Sequence, residues 1–301
     1  MNRRYLLWGC AAYAAGACAL ALLAALSAAP AAAQKIDPDP KVLRLALLPD
    51  ENAATIIQNA RPLELHLERV LGREVNVVVT TDYSSMIEAM RFGRIDVAYF
   101  GPFSYVLARS KAPGIEPFAV GLDARGAPTY TSILIALADS PIRDISQVRG
   151  IHFGFGDQAS TSSHLAPRAL LAEKGLVGDK DYKVVHLGTH DAVARAVETG
   201  KIPAGALSRP IFESLVKSGK IDGARLRIFA ETRPIPNYPM VMQSGLAPAL
   251  REQIRRAFLE LKDPGLLKNF RATGFVPTDD RAYDVLRDMA QVLHLDLARL
   301  Q

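Results

Sequence analysis

The densest set of groups able to do chemistry lies in Gly154-Phe-Gly-Asp-Gln-Ala-Ser-Thr-Ser-Ser-His-Leu-Ala-Pro167, where Ser160, Thr161, Ser162 and Ser163 give four consecutive hydroxyls. Residues 151–155 before them alternate large and small side chains as a buried strand does. Residues 165–174 after them have helical apolar spacing and a proline in the first turn. The hydroxyls are therefore expected at a helix N-terminus, where unpaired N–H groups and the positive end of the helix dipole favour an anion and short alcohols add donors. One Ser or Thr is enough to cap a helix, so this stretch alone leaves plain capping and anion binding both open.

Other candidates sit at similar junctions. Tyr83 ends Thr80-Thr-Asp-Tyr83 between a strand and a helix. Tyr99 lies beside Gly101 and Pro102, Tyr130 opens a long strand, and His190 sits in Leu187-Gly-Thr-His-Asp-Ala-Val193. Each taken singly reads as readily as a packing or capping residue. An imidazole that titrates near neutrality suits an anion whose own protonation changes there. His164 is expected along the helix surface. No Gly-x-Ser-x-Gly elbow, His-Glu-x-x-His pair or Gly-x-x-x-x-Gly-Lys loop is present. Ser162, His190 and Asp191 can be assembled on paper into a triad, but their spacing selects nothing, so no catalytic residue and no enzyme is expected.

These residues need a frame of alternating strands and helices. Strands are expected over residues 41–48, 75–80, 95–100, 130–137, 151–155, 182–187, 204–207 and 225–230, and helices over 62–71, 84–92, 165–174, 191–199, 248–261 and 282–297. The alternation predicts two α/β units with mainly parallel sheets, and ligands bind such sheets at the carboxyl ends of strands. The default site is thus a cleft between two lobes.

Residues 1–33 differ in kind: Arg3 and Arg4, an Ala/Leu-rich apolar run, then Ala31-Ala32-Ala33 before Gln34. This is the pattern of a secretory signal cut after Ala33, with an uncleaved membrane anchor as the alternative. Both cysteines, Cys10 and Cys18, lie inside it. A cysteine-free mature chain excludes thiolate metal sites, thiol catalysis and disulfides. Hydrophobic residues at 49% and charged residues at 22% indicate a folded body, and a net charge of +5 with no Lys/Arg block gives nucleic acid no binding stripe.

In these motifs the chain resembles the periplasmic phosphonate- and phosphite-binding proteins of ABC transporters, a branch of the two-lobed (type II) bacterial solute-binding proteins. The resemblance rests on Thr81-Asp-Tyr83, Gly93-Arg-Ile-Asp-Val-Ala-Tyr-Phe-Gly-Pro102 with Tyr105, Tyr130-Thr-Ser132, Asp139-Ser-Pro141, Ser160-Thr-Ser162, Thr189-His-Asp-Ala-Val193 and Ile235-Pro-Asn-Tyr-Pro239, in that order. It implies a hinged pair of lobes closing on a tetrahedral phosphorus oxyanion. Ser160, Thr161 and Ser162 would make the main oxygen contacts, Tyr83 and Tyr130 would donate phenolic hydrogen bonds, and His190 would approach from the second lobe. It further implies a periplasmic, functionally monomeric protein serving a membrane permease and its ATPase, with no metal or organic cofactor. The first lobe is expected over residues 41–129 and 240–301, and the second over 130–239.

Members that hold an aminoalkyl phosphonate carry acidic side chains at places that fall, by register, near Pro210 and Tyr238. Neither bears charge here, and Glu213 is the nearest acidic alternative. The expected ligand is therefore phosphite, phosphate or a short alkyl phosphonate rather than 2-aminoethylphosphonate. Two rivals remain at this level: a sensor using the same cleft to signal through a histidine kinase or receptor, and an exported phosphoesterase with Ser162 as nucleophile.

Overall fold

The computed structural model describes residues 35–297, so the leader expected over residues 1–33 lies outside the described residues. No described helix is long and apolar enough to cross a membrane. The chain begins with β1 (Val42–Leu47), α1 (Ala53–Leu71), β2 (Glu74–Val79), α2 (Tyr83–Arg91), β3 (Val97–Tyr99), α3 (Pro102–Lys111) and β4 (Ile115–Gly121). It crosses through β5 (Thr129–Tyr130) into β6 (Ser132–Leu137), β7 (His152–Phe155), α4 (Ala166–Glu173), β8 (Lys183–His186), α5 (His190–Glu198), β9 (Ala204–Ser208), α6 (Arg209–Lys217) and β10 (Leu226–Glu231). It returns through β11 (Ile235–Pro236) to β12 (Pro239–Gln243), α7 (Pro248–Leu259), β13 (Phe275–Pro277) and α8 (Asp284–Val292).

Two sheets result, ordered β13-β4-β12-β3-β1-β2 and β10-β6-β9-β7-β8, each the centre of one lobe. Between them, β5 and β11 form a two-stranded antiparallel ribbon with Tyr130 opposite Ile235. The sheets are mixed, which corrects the expectation of mainly parallel ones. β1 pairs parallel with β2 and β3, and β7 with β8 and β9, but β12 and β6 join antiparallel. The physical reason is the double crossing: β6 and β12 enter their sheets from the ribbon, whereas β1, β3, β7 and β9 deliver their carboxyl ends towards it.

Hydrophobic pattern sets the layers. In β6, Leu134 and Ala136 join one apolar cluster with Phe153 and Phe155, while Ile133 and Ile135 join another with Ala194 and Leu207. Alternate residues thus face opposite sides of a sheet covered on both, which accounts for the unbroken apolar run in sequence. The first lobe's cluster also takes in Ala159, Leu165 and Ala166, which flank the hydroxyl run, so the second lobe's hydroxyl segment packs into the first.

Several element bounds differ from expectation. α1 starts at Ala53, not near Pro62, because the Asn52 side chain accepts from the Thr55 N–H at 3.2 Å and caps it; Pro62 is carried inside the helix. α3 lacks a readable period since residues 102–108 are all buried. The strand expected over 130–137 breaks at Thr131 into β5 and β6.

Candidate functional site

The helix starts converge on the cleft. The N-termini of α2, α3, α5 and α6 follow strands whose carboxyl ends meet there, and the caps of α3, α5 and α6 supply no side-chain hydrogen bond of their own. Positive dipole ends are thereby turned towards one space, with first-turn N–H groups taken up from outside their own helices, Phe103 by Thr161 Oγ1, His190 by the Asp50 carbonyl and Arg209 by the Thr131 carbonyl.

The hydroxyl run opens as a π-helical turn, Thr161–Leu165, before α4 continues it. The Leu165 and Ala166 N–H groups donate to the Ser160 and Thr161 carbonyls, five residues back. This wider turn divides the four hydroxyls by role. Ser160 caps the turn, its Oγ accepting from the Ser163 N–H at 3.1 Å. Thr161 Oγ1 accepts from the Phe103 N–H at 2.7 Å, so a second-lobe side chain caps first-lobe helix α3, whose own cap is Gly101. Ser163 is consumed structurally: its Oγ accepts from the Gly156 N–H at 2.8 Å and donates to the Ala206 carbonyl at 2.5 Å. A Cβ on Gly156 would lie 2.7 Å from that oxygen, so the position admits only glycine. Ser162, fully buried, keeps an Oγ with no partner, while its carbonyl accepts from Ser132 Oγ.

Tyr83 is the first residue of α2, capped by Asp82, whose carboxylate accepts from the Ser85 N–H at 2.7 Å. Its phenol lies near Ser160, and burial, then the Asp50 and Asp157 carboxylates, push its ionisation upward, so it stays protonated as a donor. Tyr130 belongs to the crossing ribbon and stands against Tyr238 at 5.4 Å between centroids. Burial raises its ionisation although the Ser162 and Thr161 hydroxyls beside it pull the other way, and its Oη has no hydrogen-bond partner.

His190 opens α5. Its N–H donates across the lobes to the Asp50 carbonyl at 3.0 Å, and its Nδ1 accepts from the Ser208 N–H at 3.2 Å. That bond places the imidazole proton on Nε2, which is buried and unpartnered. Burial, followed by the nearby Arg271 guanidinium, lowers the ring's pKa to about 3, so it is neutral at physiological pH.

The structure thus brings Tyr83 beside Ser160, and Tyr130 beside Thr161 and Ser162, with His190 joined to the first lobe through Asp50. Three of these six residues present buried polar atoms lacking any protein partner: Tyr130 Oη, Ser162 Oγ and His190 Nε2. Leaving such atoms bare costs about 1–3 kcal/mol each, and a bound anion would remove that cost.

Other expected positions fall elsewhere. His164 is buried rather than on the surface, its Nδ1 against the Gln158 carbonyl at 2.6 Å and its Nε2 against Arg168 at 3.1 Å. Tyr99 donates to the Phe270 carbonyl at 3.0 Å and stacks on Tyr238. Sequence reasoning missed Asp50, Glu51, Ser132, Ser208 and Arg271. Arg271, in left-handed backbone at φ 49°, pairs with Asp50 at 3.1 Å and with Glu51. Asp50 was legible as the residue leaving a strand's carboxyl end; nothing in the sequence marked Arg271. Among the described residues no group of three or more His, Cys, Asp or Glu side chains is placed to hold a metal.

Comparison with known proteins gives this geometry a context. Residues 45–283 match the family described as "ABC transporter, phosphonate, periplasmic substrate-binding protein". The chain is 29% identical over 276 residues to the phosphate-import protein PhnD of Mycolicibacterium smegmatis, covering 84% of this chain and 86% of that one. It is 28% identical over 223 residues to the phosphonates-binding periplasmic protein of Escherichia coli, covering 73% and 66%. The fold matches that of PhnD1 from Prochlorococcus marinus in complex with methylphosphonate, with a TM-score of 0.78 at 23% identity over 85% of this chain and 99% of that one.

Proposed function

This chain belongs to the periplasmic phosphonate substrate-binding proteins of ABC transporters, and from that premise we propose that it carries a phosphorus oxyanion without an amine, held by Tyr83, Tyr130, Ser160, Thr161, Ser162 and His190. It binds a small phosphorus ligand in the periplasm and works with a membrane permease and ATPase. Residues 1–33 would direct export and be removed. Residues 41–129 with 240–301 would form one lobe and 130–239 the other, closing about the β5–β11 ribbon.

The observation that carries the assignment of the site is the set of three buried unpartnered atoms, Tyr130 Oη, Ser162 Oγ and His190 Nε2. Two hydroxyls and a neutral imidazole N–H form a cage of donors without a fixed cation. Hydrogen bonds to a charged group contribute roughly 1.5–3 kcal/mol each. Four or five support about −8 kcal/mol after the ordering cost of closure, which is micromolar affinity. Such a cage holds a dianion yet releases it at the permease.

The absence of an amine follows from the neighbouring wall. Pro210 and Tyr238 line the small cavity beside Tyr130 and Ser208, and neither is acidic; the one carboxylate in its wall, Asp123, is occupied by the Arg125 and Ala127 N–H groups and the Arg125 guanidinium. Glu213 lies in an outer cavity and pairs with Arg209 at 3.4 Å, so it does not replace them. Calorimetric titration with phosphite, methylphosphonate and 2-aminoethylphosphonate is the test. The first two are expected to bind at roughly micromolar Kd and the third at least about tenfold more weakly. Tight binding of 2-aminoethylphosphonate with no response to the other two would refute the reading. No finding supports the sensory alternative, and the family is one of transport proteins rather than enzymes.

A further inference from the structure

His190 is pinned through its backbone and through its ring. The backbone N–H donates to the Asp50 carbonyl of the first lobe at 3.0 Å, and the ring takes the Ser208 N–H on Nδ1 at 3.2 Å. The ring's hold is local to its own lobe. The backbone's hold depends on where the turn between β1 and α1 puts the Asp50 carbonyl, and that turn has a clamp of its own. Arg271 Nη1 and Nη2 donate to the two Asp50 carboxylate oxygens at 3.1 and 3.3 Å, and Nη2 donates to Glu51 as well. A planar fork on carboxylates fixes direction as well as distance.

Arg271 reaches that turn from the segment between α7 and β13. Its backbone is left-handed, at φ 49°, a conformation that a residue with a Cβ rarely adopts. The peptide before it is fixed by Tyr99, whose phenol donates to the Phe270 carbonyl at 3.0 Å. A strained turn, tied down and delivering one guanidinium to a carboxylate that is 3% exposed, points to a role for that guanidinium beyond surface pairing. Gripping the anion itself fits poorly, because Asp50 and Glu51 already share this one cation.

We propose that Arg271 is a positioning residue for the anion site: by clamping Asp50 and Glu51 it fixes the first-lobe carbonyl that receives the His190 N–H, and so sets where His190 Nε2 points. This rests on the cage reading above and adds to it a residue that touches no ligand. The guanidinium charge acts on the same ring. Burial first, and then Arg271, lowers the His190 pKa to about 3, against the opposing pull of Glu51 from the first lobe and of Asp191 on the ring's own helix. A neutral ring keeps its proton on Nε2 and leaves Nδ1 to accept from Ser208, whereas a protonated ring carries hydrogens on both nitrogens and loses that bond.

The test compares the wild-type chain with Arg271→Met, which removes the charge, and Arg271→Lys, which keeps the charge without the fork. Methylphosphonate affinity is read by calorimetry and the His190 ring by nitrogen NMR across pH. In Arg271→Met the ring is expected to titrate at higher pH than in the wild type, because the cation beside it is gone while Glu51 and Asp191 remain, and methylphosphonate to bind about tenfold more weakly. In Arg271→Lys the titration is expected to stay as in the wild type and binding to weaken by roughly three- to fivefold. An unmoved His190 titration in Arg271→Met, or wild-type affinity in either variant, overturns the inference. Should Arg271→Met fail to fold, with Asp50 and Glu51 left bare, Arg271→Lys alone decides by its affinity. A wild-type chain that does not bind methylphosphonate defeats the cage reading instead, so the two failures are distinguishable.

Discussion

The hydroxyl run teaches that neighbouring identical groups need not share a task. Ser163 spends both its donor and its acceptor on strands β7 and β9, while Ser162, one residue away, spends neither. Replacing Ser163 by alanine is therefore expected to lower unfolding stability by about 1 kcal/mol, read by denaturant melts, because it removes the buried hydroxyl bridge to the Ala206 carbonyl while the Gly156 N–H keeps the Ser163 carbonyl at 2.9 Å. Ser162→Ala and Tyr130→Phe remove hydroxyls that bond nothing in the ligand-free protein. They are expected to leave its melting point unchanged or slightly raised while weakening oxyanion binding by about 10- to 100-fold. Equal loss of stability in all three variants would mean that the free hydroxyls are structural after all.

At the scale of elements, the buried histidines couple the fold to pH. His164 begins the last turn of the hydroxyl segment and His190 opens α5, and both rings have a pKa lowered to about 3. Burial is the leading cause in each, followed by Arg168 for His164 and Arg271 for His190. In the unfolded chain each takes a proton near pH 6.5, but in the folded chain neither does until about pH 3. Stability is therefore lost as pH falls below about 6.5, by roughly 1.4 kcal/mol per unit per ring. Melts at pH 7.5 and 5.5 should show a drop that is smaller in His164→Gln and in His190→Gln; an identical drop in both variants would contradict the assignment.

The same elements show what a sequence can and cannot convey. Strand and helix existence was largely legible, because β6 is a short unbroken apolar run and the α2 and α5 apolar faces have clear periods. α3 was not, because it is buried on every side over its first two turns and so carries no period to read. The start of α1 was hidden by Pro62, which looked like a first-turn proline and sits mid-helix. For the candidate site, residue types at strand-to-helix junctions pointed to Tyr83 and His190, and the opening of a long strand to Tyr130. The division of labour inside the serine run, the Thr161 cap on the opposite lobe and the Asp50–Arg271 pair depend on contacts between residues far apart in the chain, which local spacing does not record.

For the whole molecule, the candidate site is drawn together by contacts between the two sheets' loops. Thr161 Oγ1 reaches the Phe103 N–H, the His190 N–H reaches the Asp50 carbonyl, and Ala159, Leu165 and Ala166 pack into the first lobe's apolar cluster. The contacts that close the cleft are therefore made by the same residues, or their immediate neighbours, that would grip the anion, which ties ligand capture to the closed shape a permease would recognise. A crystal structure of the chain grown with methylphosphonate tests this most directly. The account requires phosphonate oxygens at about 2.6–3.1 Å from Tyr130 Oη, Ser162 Oγ and His190 Nε2 between closed lobes. Methylphosphonate found elsewhere, with those three atoms still unpartnered, would contradict it.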